Sequence, residues 1–189
     1  MQQESSDLEL LEKLRMGKGE ALDALFRRYY VSCCQTAERI LRDSSAAEDI
    51  VQDLFLWLWT KRATLPLIDE PRAYLLRATR NRSLNWLRDR AKIPSADGDM
   101  PEIPSREQQP IKQLELAELK ARIDAAIDSL PERCRLVYVL CRLEGMPRNE
   151  VAERLNISLK TVENQMTRAY RYLRDYLSFA LLLTLTLFF

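Results

Sequence analysis

The chain has 189 residues, 47% of them hydrophobic, which is enough for one large core or two small ones. It contains no histidine, and its four cysteines (Cys33, Cys34, Cys134, Cys141) form no C-x-x-C pair, so the usual zinc ligand sets and every Ser-His or Cys-His nucleophile arrangement are excluded. The net charge of +1 conceals an asymmetry: residues 1–60 sum to −4, 72–92 to +6, 97–128 to −4 and 131–176 to +3, a pattern expected of two polyanion contacts separated by acidic segments.

Only four glycines occur (Gly17, Gly19, Gly98, Gly145), none inside a helical pattern, and Ala, Leu, Glu, Arg and Lys dominate, so an all-α fold is expected. A first helix carries Leu22, Leu25, Phe26, Tyr29 and Tyr30 and continues through Ala37, Ile40 and Leu41. Asp43 or Ser44 offers a cap for a second, from Ala46 to about Thr60, with Ile50, Val51, Leu54, Phe55 and Leu58 on its apolar side. Pro66 breaks the chain, and Pro71 opens a third helix through Tyr74, Leu75, Ala78, Leu84 and Leu87. Between Pro94 and Pro110 four prolines, Gly98 and polar residues read as an interdomain linker. Helix resumes with Leu116, Leu119, Ile123, Ile127 and Leu130, and Pro131 starts another that ends at Gly145. Cys33 and Cys141 are expected in cores as reduced thiols.

From Pro147 a short helix, PRNEVAERL, is followed by NIS and then by a longer helix from Leu159. Val151, Ala152 and Leu155 give the short helix an inner face, Asn156 tolerates a left-handed turn, and Ser158 can cap the longer helix. On that helix Val162, Met166, Ala169 and Leu173 form a buried stripe, and the opposite surface collects Lys160, Thr161, Asn164, Gln165, Arg168 and Arg171. Amides, hydroxyls and guanidinium groups are the side chains that pair with base edges and phosphates, so this helix-turn-helix is expected to enter DNA.

Three segments together carry a family resemblance: AEDIVQDLFLWLW (Ala47 to Trp59), PRAYLLRATRNRSLNWLRDR (Pro71 to Arg90), and LPERCRLVYVLCRLEGM with NEVAERLNIS and TVENQ behind it. In this order around a linker they resemble bacterial RNA polymerase sigma factors of the sigma-70 family, and among those the small extracytoplasmic-function (ECF) group with only regions 2 and 4. The resemblance implies a region 2-like domain over residues 1–92, a linker over 93–112, a region 4-like domain over 113–176 and a hydrophobic tail over 177–189. It implies core polymerase, through the clamp coiled coil of its largest catalytic subunit, as the partner of Glu48, Asp49, Gln52, Asp53, Leu54 and Phe55. It further implies that Arg77, Arg80, Asn81, Arg82, Asn85, Arg88 and Arg90, with the loop Lys61 to Glu70, engage the −10 promoter element, where one base leaves the stack. Ser158, Lys160, Thr161, Asn164, Gln165, Arg168 and Arg171 would contact the −35 element. Trp57 and Trp59 are candidates for base stacking or for core packing, with packing favoured for at least one.

The resemblance also implies a linker that threads toward the polymerase active-site channel and RNA exit path, where its acids Asp97, Asp99, Glu102 and Glu107 are expected to mimic nucleic acid. The tail, LSFALLLTLTLFF, spans about 20 Å as a helix, short of the roughly 30 Å hydrocarbon core, and leaves three readings: packing on its own domain, contact with an inhibitory protein such as an anti-sigma factor, or a peripheral membrane contact. No secretory signal is visible and a cytoplasmic location is expected. The expected function is promoter-directed transcription initiation without bond chemistry or cofactor. A stand-alone helix-turn-helix regulator is the alternative, and it leaves the acidic second helix and basic third helix without roles.

Overall fold

The computed structural model describes residues 6–90 and 112–188, with side chains described over 6–90 and 120–176; the linker and its four acidic candidates lie outside these residues. The chain divides into two compact units, Met1–Pro94 and Ser95–Phe189, and all described regular structure is helical.

The N-terminal unit begins with a helix that precedes the first one expected from the sequence. In α1 (Asp7–Arg15) Ser6 and Glu9 form a capping box, Glu9 N donating to Ser6 Oγ at 3.3 Å and Ser6 N to Glu9 Oε2 at 3.2 Å. Leu10, Leu11 and Leu14 are its buried face. Helix α2 (Gly19–Leu41) buries Leu25, Tyr29, Cys33, Ala37 and Ile40, and ends where Arg42 turns left-handed at φ 56. Helix α3 (Ser44–Thr60) is capped by Asp43, whose Oδ1 accepts from Ala46 N at 3.0 Å. A 3₁₀ turn, Arg62–Thr64, leads into the loop before α4 (Pro71–Arg90).

Helix α4 packs against both α2 and α3, and it does so partly through small polar residues. Thr79 and Ser83 are fully buried, their hydroxyls donating to the carbonyls of Leu75 (2.9 Å) and Thr79 (3.0 Å). Back-bonding satisfies these donors inside the helix, so neither buried hydroxyl is orphaned and the backbones approach over short side chains. Cys33 of α2 hydrogen-bonds Thr79 across this seam, and burial pushes its thiol up. The expected apolar positions Tyr74, Ala78 and Leu87 are only half-buried, while Leu75 and Leu84 are core.

Asp7 at the head of α1 accepts from the Arg28 guanidinium and the Tyr29 hydroxyl, which ties α1 to α2. Burial and the Asp7 hydrogen bond push the Tyr29 phenol up to about 12. A phenol holding its proton more tightly when folded contributes fully below pH 10, and that contribution is lost as pH rises toward 12. The N-terminal unit is therefore expected to lose stability over that alkaline window, and Tyr29→Phe to flatten the limb, as read by urea unfolding from pH 8 to 11.5.

In the second unit α5 (Lys112–Asp128) stops short of Leu130, which is a core residue in the connection. Pro131 lies at the cap of α6 (Glu132–Tyr138) rather than in its first turn, and Ile123 is exposed. The helix widens into a π turn, Val139–Leu143, before Gly145 reverses the chain at φ +63. Helix α7 (Arg148–Leu155) buries Val151 and Ala152 and ends at Asn156, left-handed at φ 52, with Ile157 N bonding back to Ala152 O at 2.9 Å. Helix α8 (Leu159–Phe188) starts under a Ser158 cap, Thr161 N donating to Ser158 Oγ at 3.0 Å, and its backbone continues unbroken into the hydrophobic tail. Val162, Met166 and Ala169 are buried, Leu173 half-buried. Cys134 joins this core, whereas Cys141, expected there, is half-buried on the π turn.

Candidate nucleic-acid and polymerase interfaces

The outer side of α3 is an acidic strip. Glu48, Asp49, Gln52 and Asp53 are all exposed, and at 3.6 residues per turn they fall on neighbouring rows. Leu54 and Phe55 do not join them. They are 0% and 3% exposed, Phe55 meeting Phe26 of α2 edge-on with ring centroids 5.0 Å apart, so their place in a docking surface is corrected to the core. Amphipathic spacing explains this, since both belong to the stripe of Ile50, Val51 and Leu58. The apolar member of the outward strip is Leu56, 64% exposed, which follows Gln52 by four residues and Asp53 by three. Its signal in the sequence was its position opposite the stripe. Behind the strip, burial and a hydrogen bond with Cys34 push the Tyr30 phenol up, while a hydrogen bond with Gln52 lowers it.

The basic helix α4 divides into open and committed groups. Arg77, Asn85, Arg88 and Arg90 are exposed; Arg80, Asn81 and Arg82 are half-buried. The Arg82 guanidinium lies 5.6 Å from the centroid of Trp57, and that of Arg90 lies 4.8 Å from Trp86 while its NH1 is 3.9 Å from Asp43 Oδ2. Arg62 covers Trp59 at 4.3 Å. Both tryptophans of α3 thus carry a cation on one face; Trp59 is half-buried and Trp57 borders on exposure. In the preceding loop Leu65 and Ile68 are buried pegs, and Arg15 donates to the Pro66 carbonyl. Between the pegs Leu67 stands 87% exposed, a position no sequence motif singles out.

In the second unit Ser158, Lys160, Asn164, Arg168 and Arg171 are exposed on α8, and Thr161 is half-buried with its hydroxyl 2.8 Å from that of Ser158. Lys160 Nζ is 3.7 Å from Glu163 Oε2. Gln165 leaves this face: it is half-buried at the flank of the stripe, and its Oε1 accepts from the Cys134 thiol at 2.7 Å. Burial pushes that thiol up, against the opposing effect of the Arg168 charge, and so keeps the donor protonated. Gln165→Ala is therefore expected to cost about 1 kcal/mol of stability in this unit through the lost bond. The same change is expected to leave base preference intact in a DNA-binding titration against single-base variants. Arg142, on the π turn, donates to the Tyr170 hydroxyl, and Tyr138 meets Tyr170 edge-on at 6.1 Å, fastening α6 to α8. Among the described residues no group of three or more acidic or cysteine side chains is placed to hold a metal ion, and no helix is long and apolar enough to cross a membrane.

Two helical units, an acidic and a basic helix in the first and a helix-turn-helix in the second, define a two-part nucleic-acid-binding class. Residues 25–93 match the family model described as Sigma-70 region 2, and residues 120–173 the one described as Sigma-70, region 4. The chain is 30% identical to the ECF RNA polymerase sigma factor SigE of Mycolicibacterium smegmatis, over 82% of this chain and 61% of that protein. It is 28% identical to the RNA polymerase sigma factor CnrH of Cupriavidus metallidurans, over 89% of this chain and 93% of that one. The chain spans 38% of a further relative, the sigma factor RfaY of Xanthomonas campestris, at 30% identity. A solved structure of CnrH in complex with the cytosolic domain of CnrY aligns with a TM-score of 0.48 at 26% identity, covering 92% of this chain and 98% of that one. The chain belongs to the sigma-70 family of RNA polymerase sigma factors.

Proposed function

We propose that the chain is a promoter-specificity subunit, which binds core RNA polymerase, directs it to −35 and −10 elements and assists melting at the second, with no bond chemistry of its own. The observation that carries this reading is the presence in one unit of an acidic outward strip on α3 and a basic helix α4, alongside a separate helix-turn-helix unit. A stand-alone regulator has use for the last of these only.

In this reading residues 1–92 and 113–176 are the two working domains, 93–112 the linker and 177–189 an appended tail. Glu48, Asp49, Gln52 and Asp53, with Leu56 added, contact the clamp coiled coil of the largest polymerase subunit. The exposed Arg77, Asn85, Arg88 and Arg90, supported by Arg80, Asn81 and Arg82, hold the −10 strand by its phosphates, where opening costs a few kcal/mol. Ser158, Lys160, Thr161, Asn164, Arg168 and Arg171 grip the −35 element, while Gln165 braces the helix that carries them. The protein works in the cytoplasm, and an anti-sigma protein is a further partner, with the tail as one surface for it.

Transcription in vitro with purified core polymerase tests the proposal. Discrete transcripts from promoter-bearing templates, absent without this chain, are expected. Sequence-specific DNA binding that owes nothing to polymerase, with no transcripts, would replace it with the stand-alone regulator.

A further inference from the structure

The buried stripe of α8 steps through Val162, Met166, Ala169 and Leu173 at intervals of four, three and four residues. Two positions earlier, the same intervals pick out Lys160, Asn164, Thr167 and Arg171. Two residues correspond to about 200° of helical rotation, so this second row is the one diametrically opposite the core. All four of its members are exposed. Three of them carry long or amide side chains suited to phosphates and base edges. Thr167 is the fourth, the one short hydroxyl side chain of the row.

Its chemistry is narrowed by the structure. The Thr167 hydroxyl donates to the Glu163 carbonyl at 3.0 Å, so its proton is committed to the helix. The γ-methyl is the remaining outward group. It lies one turn from Asn164 on one side and from Arg171 on the other. A small apolar group set between polar ones on a groove-facing row is the complement of the one apolar feature of the major groove, the C5-methyl of thymine. We infer that Thr167 is a specificity-determining residue that reads a thymine methyl in the upstream promoter element. The inference rests on the DNA-binding role proposed for α8 and adds to it a residue and the base feature it recognises.

The test begins with the full chain and core polymerase selecting duplexes from a pool with a randomised upstream segment. Each thymine of the enriched element is then replaced singly by deoxyuridine, which removes only the methyl. One position is expected to lose about 4-fold in affinity, the value of one apolar carbon removed from water. Thr167→Ser, which keeps the hydroxyl and its back-bond, is expected to be indifferent to that replacement, and Thr167→Val, which keeps a γ-methyl, to retain the sensitivity. An enriched element that tolerates every uracil, or a sensitivity unchanged in Thr167→Ser, overturns the inference while leaving DNA recognition by α8 standing. Failure to enrich any sequence overturns the promoter-binding role itself, and the inference with it.

Discussion

Leu54→Ala is expected to destabilise the N-terminal unit by about 3 kcal/mol, whereas Leu56→Ala, two residues away, should leave its stability within about 0.5 kcal/mol. Leu54 has no exposed surface, and truncating it removes both the transfer free energy of its methyl groups and the packing around them. Leu56 is 64% exposed and leaves no cavity behind. All three tryptophans, Trp57, Trp59 and Trp86, lie in this unit, so fluorescence-detected melting of the full chain follows it selectively. A midpoint drop of about 15 °C is expected for the first variant. The second should show its effect elsewhere, as a roughly tenfold weaker association with core polymerase, the size of loss typical of an apolar anchor at an interface. If Leu56→Ala binds polymerase normally, the docking surface does not include that side chain.

Reversal of two charges on the same strip, Asp49→Lys with Asp53→Lys, should cost more in binding and almost nothing in folding. The two carboxylates are exposed, sit one helical turn apart, and form no ion pair among the described residues, so exchanging them leaves intramolecular contacts in place. Across an interface the outcome differs, because like charges brought together cost several kcal/mol; a fall in core-polymerase affinity of more than about 100-fold is expected. Titration at several salt concentrations checks the cause. Wild-type association should weaken as salt screens the attraction, and the doubly reversed chain should lose that dependence. DNA binding by the helix-turn-helix unit should be unaffected, and a matching loss there would point to unfolding.

Much of this protein was legible before its fold was known. Proline and cap residues announced the starts of α3 and α4 and both ends of α7, and the cap at Ser158 and the left-handed Asn156 stand where the helix-turn-helix required them. The Ser6–Glu9 box that starts α1 and the Leu10, Leu11 and Leu14 face behind it were local patterns as well, ahead of the first helix expected. The π turn at Val139–Leu143 had no such signal, because a widened turn is settled by what packs on it. Burial of Thr79 and Ser83 in the seam with α2 was equally hidden. Hydroxyls read as surface groups until the neighbouring helix is known, and back-bonding then lets them serve as small core residues.

The sequence by itself determined the helical class, the order of the elements, the charge asymmetry and the residue types from which both interfaces are drawn, because helical periodicity, caps and net charge are local properties. Only the tertiary structure decided what packs against each set. Helical spacing had already set Leu54 and Phe55 on the apolar stripe of α3 and Leu56 opposite it; the packed neighbours made that stripe a core, and on α8 they turned Gln165 toward the Cys134 thiol, which no spacing foretold.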